Sequence, residues 1–284
     1  MINHILILPS WYPADPSDIC GSFFREQTIA LAKRGFKVGV VHPNLRSLRK
    51  WRTILSGSYG FQLEEDEGVA TLRSHGMAWF PRIRRASRWL WLREGEKLLN
   101  QYVERYGMPD VVHVHSMLNA GLLALKALGK YQIPYVVTEH SSAFARHLPC
   151  DEDLNQARII TEQAKRRFAV SRPFCRLLEH QLGSDESQCW EPLPNIVSER
   201  FFQYREHDTQ ASSARFSFLT VALLTEEKGV HILISAFAQA FRGQSDVKLT
   251  IGGDGPERPR LEALASHLGI PSQVNFLGSL TRDQ

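Results

Sequence analysis

The stretch that decides the fold is Val111–Thr138, which reads VVHVHSMLNAGLLALKALGKYQIPYVVT. Two short valine-rich runs, Val111–His115 and Tyr135–Thr138, flank a longer run rich in leucine and alanine. The short runs have the composition of buried strands, and the longer run, Leu118–Gly129, has that of a helix. A strand, a helix and a second strand in this order predict two parallel strands joined by a crossover helix.

The same alternation continues on both sides of this unit. Further strands are predicted at His4–Leu8, Lys37–His42 and Arg167–Ser171. Further helices are predicted at Phe24–Lys33, Ser87–Tyr106 and Phe174–Gln181. The turn-rich segment Phe61–Met77 is expected to add a hairpin or an edge strand. Alternation of this kind predicts an α/β fold, with a parallel sheet covered by helices on both faces.

A second round of alternation follows the polar, linker-like segment Gln203–Ser213. Beyond it we predict strands at Phe216–Leu223, Val247–Ile251 and Val274–Leu277, and helices at Val230–Phe241 and Glu257–Leu268. We therefore expect two doubly wound, Rossmann-like domains, residues 1–200 and residues 201–284.

The last residues, Ser279–Gln284, have the pattern of a helix start, with Thr281 as a suitable N-cap. Three strands are few for a doubly wound sheet. Either a partner covers the open face or the second domain is incomplete, and we expect truncation.

Composition and charge exclude several classes of protein. The 284 residues are 43% apolar and 23% charged, with a net charge of +4 that does not by itself indicate nucleic-acid binding. No apolar run approaches the length of a membrane span, and the N-terminus has the pattern of a first strand rather than of a signal peptide. No metal-ligand spacing relates the four cysteines, which are Cys20, Cys150, Cys175 and Cys189. We therefore expect a reduced, cytoplasmic protein without a zinc site.

Arginine and tryptophan interleave between Trp79 and Arg93. The residues concerned are Arg82, Arg84, Arg85, Arg88, Trp89 and Trp91. One interpretation is peripheral contact with the inner face of a membrane. An equally good one is a helix with an aromatic core face and a solvated basic face, while single-stranded nucleic acid is a distant third.

Two loops of the first half carry candidate binding residues. Gly21 and Ser22 stand just before a predicted helix, whose free N–H groups attract anions. His140 follows the strand Tyr135–Thr138, at the carboxyl end where ligands lie in such sheets. His113 and His115 end the neighbouring strand on one face, but we do not expect a metal site there because no carboxylate or cysteine with ligand spacing joins them.

Two loops of the second half are candidates for diphosphate and nucleotide binding. Lys228 lies at a predicted helix start, where an ammonium and free N–H groups suit a diphosphate. The run Gly252–Glu257 places Gly253, Asp254 and Gly255 directly after a strand, where small residues leave room for a ligand. The acidic triplet Asp151–Asp153 matches a DxD metal motif, but we interpret it as the acidic start of a helix.

These motifs, taken in order, resemble glycosyltransferase family 4, whose members have the GT-B fold and retain anomeric configuration. The segments that carry the resemblance are Gly21–Ser22, Asp110–His115, Thr138–His140, Ala169–Ser171, Pro194–Val197, Glu227–Val230, Gly252–Pro256 and Val274–Gly278. The resemblance implies two Rossmann-like domains facing a cleft, the second incomplete here. It implies a donor that is a nucleotide-diphosphate sugar of the UDP or GDP type, with no metal or other cofactor.

The resemblance also implies residue roles. His140 would lie by the transferred sugar, and Gly21 with Ser22 would line the loop near that sugar and the donor phosphate. Lys228 would bind the diphosphate and stabilise its charge as it leaves. The nucleotide pocket would be lined by Gly253, Asp254, Gly255 and Leu277. The acceptor would be a glycan or a lipid-linked glycan, in polysaccharide or glycolipid biosynthesis.

Two departures from the family pattern bear on activity. Leu223 stands where the family usually has an arginine five residues before its lysine. The family's pair of glutamates should follow shortly after Gln284, so we expect weak or no transfer by these 284 residues alone. Two alternatives therefore stay open: a non-catalytic or truncated nucleotide-sugar-binding module, and a GT-B-type nucleotide-sugar epimerase.

Overall fold

The structure is a computed structural model that describes residues 2–15, 18, 20–46, 59–80, 83–183, 189–197, 202 and 216–280. The chain divides into two compact units, Met1–Phe202 and Gln203–Gln284. The predicted linker Gln203–Ser213, the N-cap Thr281 and Arg82 lie outside the described residues.

The first unit contains eight strands among its described residues. They are β1 (His4–Pro9), β2 (Lys37–Arg46), β3 (Gly60–Asp66), β4 (Val69–Met77), β5 (Val111–His115), β6 (Tyr135–Glu139), β7 (Arg166–Ala169) and β8 (Trp190–Pro192). Their order in the sheet is β3-β4-β2-β1-β5-β6-β7-β8. Only the β3–β4 pair is antiparallel, which confirms the hairpin predicted for Phe61–Met77.

Among the described residues of this unit, five helices connect these strands. They are α1 (Ser22–Lys33), α2 (Arg84–Tyr106), α3 (Met117–Tyr131), α4 (Asp151–Gln163) and α5 (Arg172–Leu182). The strand–helix–strand unit predicted for Val111–Thr138 is confirmed, because β5 and β6 pair in parallel with His115 beside Thr138. Ser171, predicted as the end of a strand, instead caps α5, since its hydroxyl accepts the N–H of Phe174.

The sheet has a different core on each face because its side chains alternate. Leu6 and Leu8 of β1 belong to the large core, together with residues of α2 and α3. Ile5 and Ile7 belong to a smaller core that includes Ile29 of α1. The same alternation places Val112 and Val114 of β5 in the large core, and His113 and His115 on the side of α1.

The second unit is a parallel sheet of three described strands, β9 (Phe216–Val221), β10 (Val247–Gly252) and β11 (Val274–Gly278), with β10 in the middle. The helices α6 (Val230–Phe241) and α7 (Arg258–His267) pack with β10 in one core. Leu219 and Val221 of β9, by contrast, are 67% and 61% exposed. Within the described part, the apolar core therefore lies on the helix side of this sheet.

No helix in the described part of the chain combines the length and apolar character needed to cross a membrane.

Candidate functional site

His140 lies at the carboxyl end of β6 and is held from several sides. Its Nε2 is 3.0 Å from Nδ1 of His115, and its Nδ1 is 3.1 Å from the side-chain oxygen of Asn195. The ring centroids of Phe23 and Phe24 lie 5.2 Å and 4.8 Å from that of His140. The position and the plane of the imidazole are therefore defined by neighbouring side chains.

The histidines of β5 extend this cluster below His140. The ring centroids of His113 and His115 are 4.2 Å apart, and Nε2 of His113 is 2.7 Å from the hydroxyl of Thr138. Burial lowers the pKa of His113 to about 4. Burial also lowers the pKa of His140 to about 3, with a smaller electrostatic contribution from His113. The pKa of His115 is also well below the usual value because of burial. All three rings are therefore neutral near pH 7.

Glu139 is a fully buried carboxylate beneath the same loop. It accepts hydrogen bonds from the backbone N–H groups of Met117, His140 and Ser141. Burial raises the pKa of Glu139, and these N–H bonds oppose that effect. The carboxylate thus ties the start of α3 to the loop that carries His140. We had not assigned it a role from the sequence, although its place between a strand and His140 was a usable signal.

Gly21 and Ser22 lie at the start of α1, in the same unit as His140. Gly21 caps the helix with a positive φ of 77°. A Cβ atom at Gly21 would lie 2.9 Å from the ring of Trp11, so glycine satisfies both the backbone angle and the space. The next residues of α1 are Phe23 and Phe24, which contact His140. The structure therefore brings the predicted glycine loop and the predicted histidine together.

Lys228 ends a short 3₁₀ turn, Glu226–Lys228, just before Gly229 caps α6. Its side chain is exposed, and among the described residues it has no ion-pair partner. The capping Gly229 has a φ of 66°, which turns the chain into the helix. Lys228 is thus a cation beside a helix N-terminus, as predicted.

The glycines after β10 have a structural reason to be glycine. A Cβ atom at Gly255 would lie 2.4 Å from the carbonyl oxygen of Leu224, and Gly253 approaches Ala222 in the same way. The N–H of Leu224 donates to the carbonyl of Asp254, and that of Glu257 donates to the carbonyl of Leu224. Close packing of the two loops therefore requires glycine at both positions, and a contact of these glycines with a ligand stays a prediction.

Asp254 and Leu277 complete the predicted nucleotide set. The carboxylate of Asp254 accepts the N–H of Gly255 at 2.8 Å and pairs with Arg258 at 3.3 Å, so it does not cap α7. Leu277 is 48% exposed on β11. Its neighbour Gly278 accepts a hydrogen bond from the N–H of Gly253. The structure thus gathers these residues at the carboxyl ends of β10 and β11.

The arginine–tryptophan segment forms the first half of α2, and its arginines have partners. Arg84 and Arg88 pair with Asp153 at 2.5 Å and 2.7 Å, and Arg85 pairs with Glu152. Trp89 is 57% exposed, but Trp91 is only 7% exposed and belongs to the large core. The prediction of a membrane contact through Trp91 is therefore wrong, because this ring packs inside the protein.

The acidic triplet Asp151–Asp153 starts α4, as we had interpreted it. Asp153 is 1% exposed, and its carboxylate accepts the N–H of Cys150 in a capping box. Burial acts against its charge, but bonds from Arg88, Cys150 and Arg84 lower the pKa of Asp153 to about 2. Within the described residues, no group of three or more histidines, cysteines or carboxylates is arranged to hold a metal ion. The four cysteines are free thiols.

Two α/β units with mostly parallel sheets, together with the similarity to the solved structures described below, place the chain in the GT-B class of fold. The chain belongs to Glycosyltransferase Family 4, whose sequence profile matches residues 21–197. A second profile, Glycosyl transferases group 1, matches residues 205–284.

Two curated relatives match part of the chain. The chain is 24% identical over 189 residues to alpha-monoglucosyldiacylglycerol synthase of Acholeplasma laidlawii, covering 60% of this chain and 48% of that protein. It is 28% identical over 166 residues to alpha-D-kanosaminyltransferase of Streptomyces kanamyceticus, covering 53% of this chain and 43% of that protein. The chain thus spans about half the length of the curated relatives it matches.

Solved structures share the fold at low sequence identity. Anabaena HepE in complex with UDP superposes with a TM-score of 0.66 at 18% identity, covering 98% of this chain and 69% of that chain. The catalytic domain of starch synthase IV from Arabidopsis thaliana, bound to ADP and acarbose, superposes with a TM-score of 0.67 at 12% identity. The match covers 99% of this chain and 75% of that chain. These similarities establish the fold of the chain.

Proposed function

We propose that the chain is the nucleotide-sugar-binding and sugar-transferring part of a retaining, metal-independent glycosyltransferase. The donor is a nucleotide-diphosphate sugar of the UDP or GDP type. The acceptor is a glycan or a lipid-linked glycan, in polysaccharide or glycolipid biosynthesis. The observation that carries this proposal is the neutral His140 beside the N-terminus of α1, within a chain of this family. HepE in complex with UDP supports the choice of a nucleotide-sugar donor.

Each predicted residue has a role in this proposal that its surroundings support. Near pH 7 the imidazole of His140 is uncharged, so it binds a sugar oxygen by hydrogen bonding and not as a cation. Gly21 and Ser22 present backbone N–H groups of α1 to a phosphate or a sugar oxygen. Lys228 and the N-terminus of α6 stabilise the negative charge that develops on the departing diphosphate, in place of a metal ion. Gly253, Asp254, Gly255 and Leu277 contact the nucleotide.

The diphosphate role of Lys228 can be tested by calorimetry with UDP and GDP. Lys228→Ala should weaken binding of the preferred nucleotide about tenfold or more, since hydrogen bonds to charged groups are strong. Lys248→Ala is the matched control, because Lys248 is a lysine of the same unit whose ammonium donates to the carbonyl of Ser272. Equal affinities in both variants would refute the role of Lys228. Binding that requires Mn²⁺ or Mg²⁺ would refute the metal-independent mechanism.

A non-catalytic nucleotide-sugar-binding module is the second candidate. Leu223 favours it, because this exposed position carries no cation to share the diphosphate charge with Lys228. The two candidates are separated by incubating the chain with a radiolabelled donor and acceptor extracts. The first predicts a glycosylated product with retained configuration, formed slowly by these 284 residues alone, and the second predicts binding without any transfer.

Peripheral membrane contact is a further part of the proposal, in a revised form. Trp89 is exposed on α2 beside Arg85 and Arg93, and the guanidinium of Arg93 lies 5.5 Å from the Trp89 ring centroid. Exposed apolar side chains precede this helix at Trp79, Phe80 and Ile83. These basic and aromatic residues suit contact between a cytoplasmic protein and the anionic inner leaflet of a membrane. Failure to bind liposomes containing anionic lipid at low salt would remove this part.

A further inference from the structure

Three side chains form a hydrogen-bonded line from the core to the surface. His115 is fully buried, His140 is half-buried and Asn195 is exposed. The two links are His115 Nδ1 to His140 Nε2 at 3.0 Å and His140 Nδ1 to Asn195 Oδ1 at 3.1 Å. Both ring nitrogens of His140 are therefore engaged by protein groups in this structure.

The chemistry of these groups fixes where the protons lie. The side-chain oxygen of Asn195 accepts, so this bond forms when the proton of a neutral His140 is on Nδ1. Asn195 is exposed, however, and water can replace it as a partner of His140. With the proton on Nδ1, Nε2 of His140 is unprotonated and accepts a hydrogen bond from the Nδ1–H of His115. This leaves Nε2 of His115 with an unpaired lone pair, and this atom has no partner among the described residues. The opposite arrangement would leave a buried N–H without an acceptor there, which is the rarer and costlier case.

We propose that His115 is a positioning residue that holds His140 with its proton on Nδ1, and that Asn195 occupies the place of a ligand oxygen. The rings of Phe23 and Phe24 keep the imidazole plane fixed while the Nδ1–H group faces the exposed side. A sugar hydroxyl or ring oxygen can then accept this N–H only by displacing Asn195. The nature of that ligand rests on the proposed function, but the proton position does not.

The proton position is measured directly by two-dimensional ¹⁵N–¹H NMR of the chain with ¹⁵N-labelled histidine. The His140 signals are assigned by their loss in His140→Gln. We expect the pattern of a neutral ring protonated on Nδ1 at pH 7. A ring protonated on Nε2 would overturn the proposal, whether or not the chain binds nucleotide sugars.

Variants then show which neighbour sets this state. His115→Leu should give a mixture of tautomers at His140, whereas His115→Asn, whose amide N–H₂ replaces Nδ1–H, should restore the Nδ1–H form. Asn195→Ala should leave the tautomer unchanged, because the buried partner fixes it. If Asn195→Ala changes the tautomer and His115→Leu does not, the proposal is wrong. His42→Asn is the matched control, since His42 is a buried histidine of β2, separated from β5 by β1, and its Nδ1 contacts the carbonyl oxygen of Pro9.

The affinities for UDP-glucose and UDP supply a second readout. A general loss of stability would weaken the binding of both ligands, whereas a loss at the sugar would weaken only that of UDP-glucose. We expect His115→Leu to weaken binding of UDP-glucose about five- to tenfold, as for one lost hydrogen bond, while UDP itself binds unchanged. Equal weakening of both ligands would contradict a role at the sugar. If the native chain binds neither these two compounds nor their GDP counterparts, the proposed function fails, and the NMR result still decides the state of His140.

Discussion

The backbone of Gly253 packs against the carbonyl oxygen of Ala222, so closely that a Cβ atom on Gly253 would stand 1.9 Å from that oxygen. Gly253 also has a φ of 122°, which side chains of L-residues rarely allow. This contact joins the loop after β10 to the loop after β9. The loops that carry Lys228 and Asp254 are thus parts of one packed structure.

Gly253→Ala should therefore destabilise the second unit by at least about 3 kcal/mol, since it adds a steric clash to backbone strain. Gly243→Ala is the control, because Gly243 has a φ of 84° but open space around its Cβ position. We expect about 1 kcal/mol for that change, from backbone strain alone. Urea unfolding of both variants measures the difference, and equal losses would show that the clash is relieved.

Asp153→Ala should destabilise the first unit by about 3 kcal/mol, because it leaves the largely buried Arg88 without its carboxylate. The full decrease in the free energy of unfolding should be seen above pH 4. It should shrink as the pH falls toward 2, the range in which native Asp153 takes up its proton. Asp151→Ala, on the exposed side of the same helix turn, should cost less than about 1 kcal/mol. Comparable losses for the two variants in urea unfolding would contradict this assignment.

His113→Gln should reduce the acid sensitivity of the fold. Native His113 has a pKa of about 4, against 6.5 when it is unfolded, so the unfolded chain binds more protons between these values. Its contribution to stability is therefore complete above pH 6.5 and is lost as the pH falls toward 4, by about 3 kcal/mol. Glutamine keeps a nitrogen near Thr138 but does not titrate. Unfolding midpoints at pH 7 and pH 4.5 should differ less in the variant than in the native chain, and an unchanged difference would argue against this contribution.

Leu223→Arg should strengthen UDP binding several-fold. The position is 53% exposed, so an arginine there would keep most of its hydration. It would add a second cation near Lys228. Thermal stability should change by less than about 0.5 kcal/mol, as for other surface substitutions. Leu223→Gln, which is polar but uncharged, is the control. If calorimetry gives the same affinity for arginine, glutamine and leucine, this position does not face the diphosphate.

Periodicity and composition were enough to predict most of the strands and helices. The segment Val247–Ile251 alternates apolar and polar residues, as a strand does, and Val230–Phe241 is mostly apolar over a length that favours a helix. Both elements were found close to the predicted bounds. The three-residue strand Trp190–Pro192 was missed, since three residues carry no period. Its pairing with β7 depends on the sheet already being present.

The surroundings of the candidate site were harder to predict than its members. Position after a strand was sufficient to select His140 and the loop of Gly21. The links from His140 to His115 and Asn195 join residues 25 and 55 positions apart, and no local pattern encodes them. The burial of Trp91 was missed for a related reason. Trp89 and Trp91 have the same composition around them, and only the packing of α2 against the sheet distinguishes the two rings.

The described strands at the two edges of the eight-stranded sheet, β3 and β8, differ from the inner strands. β3 carries Glu64, Glu65 and Asp66 in succession, and β8 is only three residues long and ends in Pro192. Unpaired strand edges can template pairing with another chain, and charge, shortness and proline each prevent it. Neutral side chains at these three positions would remove that protection from β3, so a chain with Glu64→Gln, Glu65→Gln and Asp66→Asn should form intermolecular sheet and precipitate sooner than the native chain.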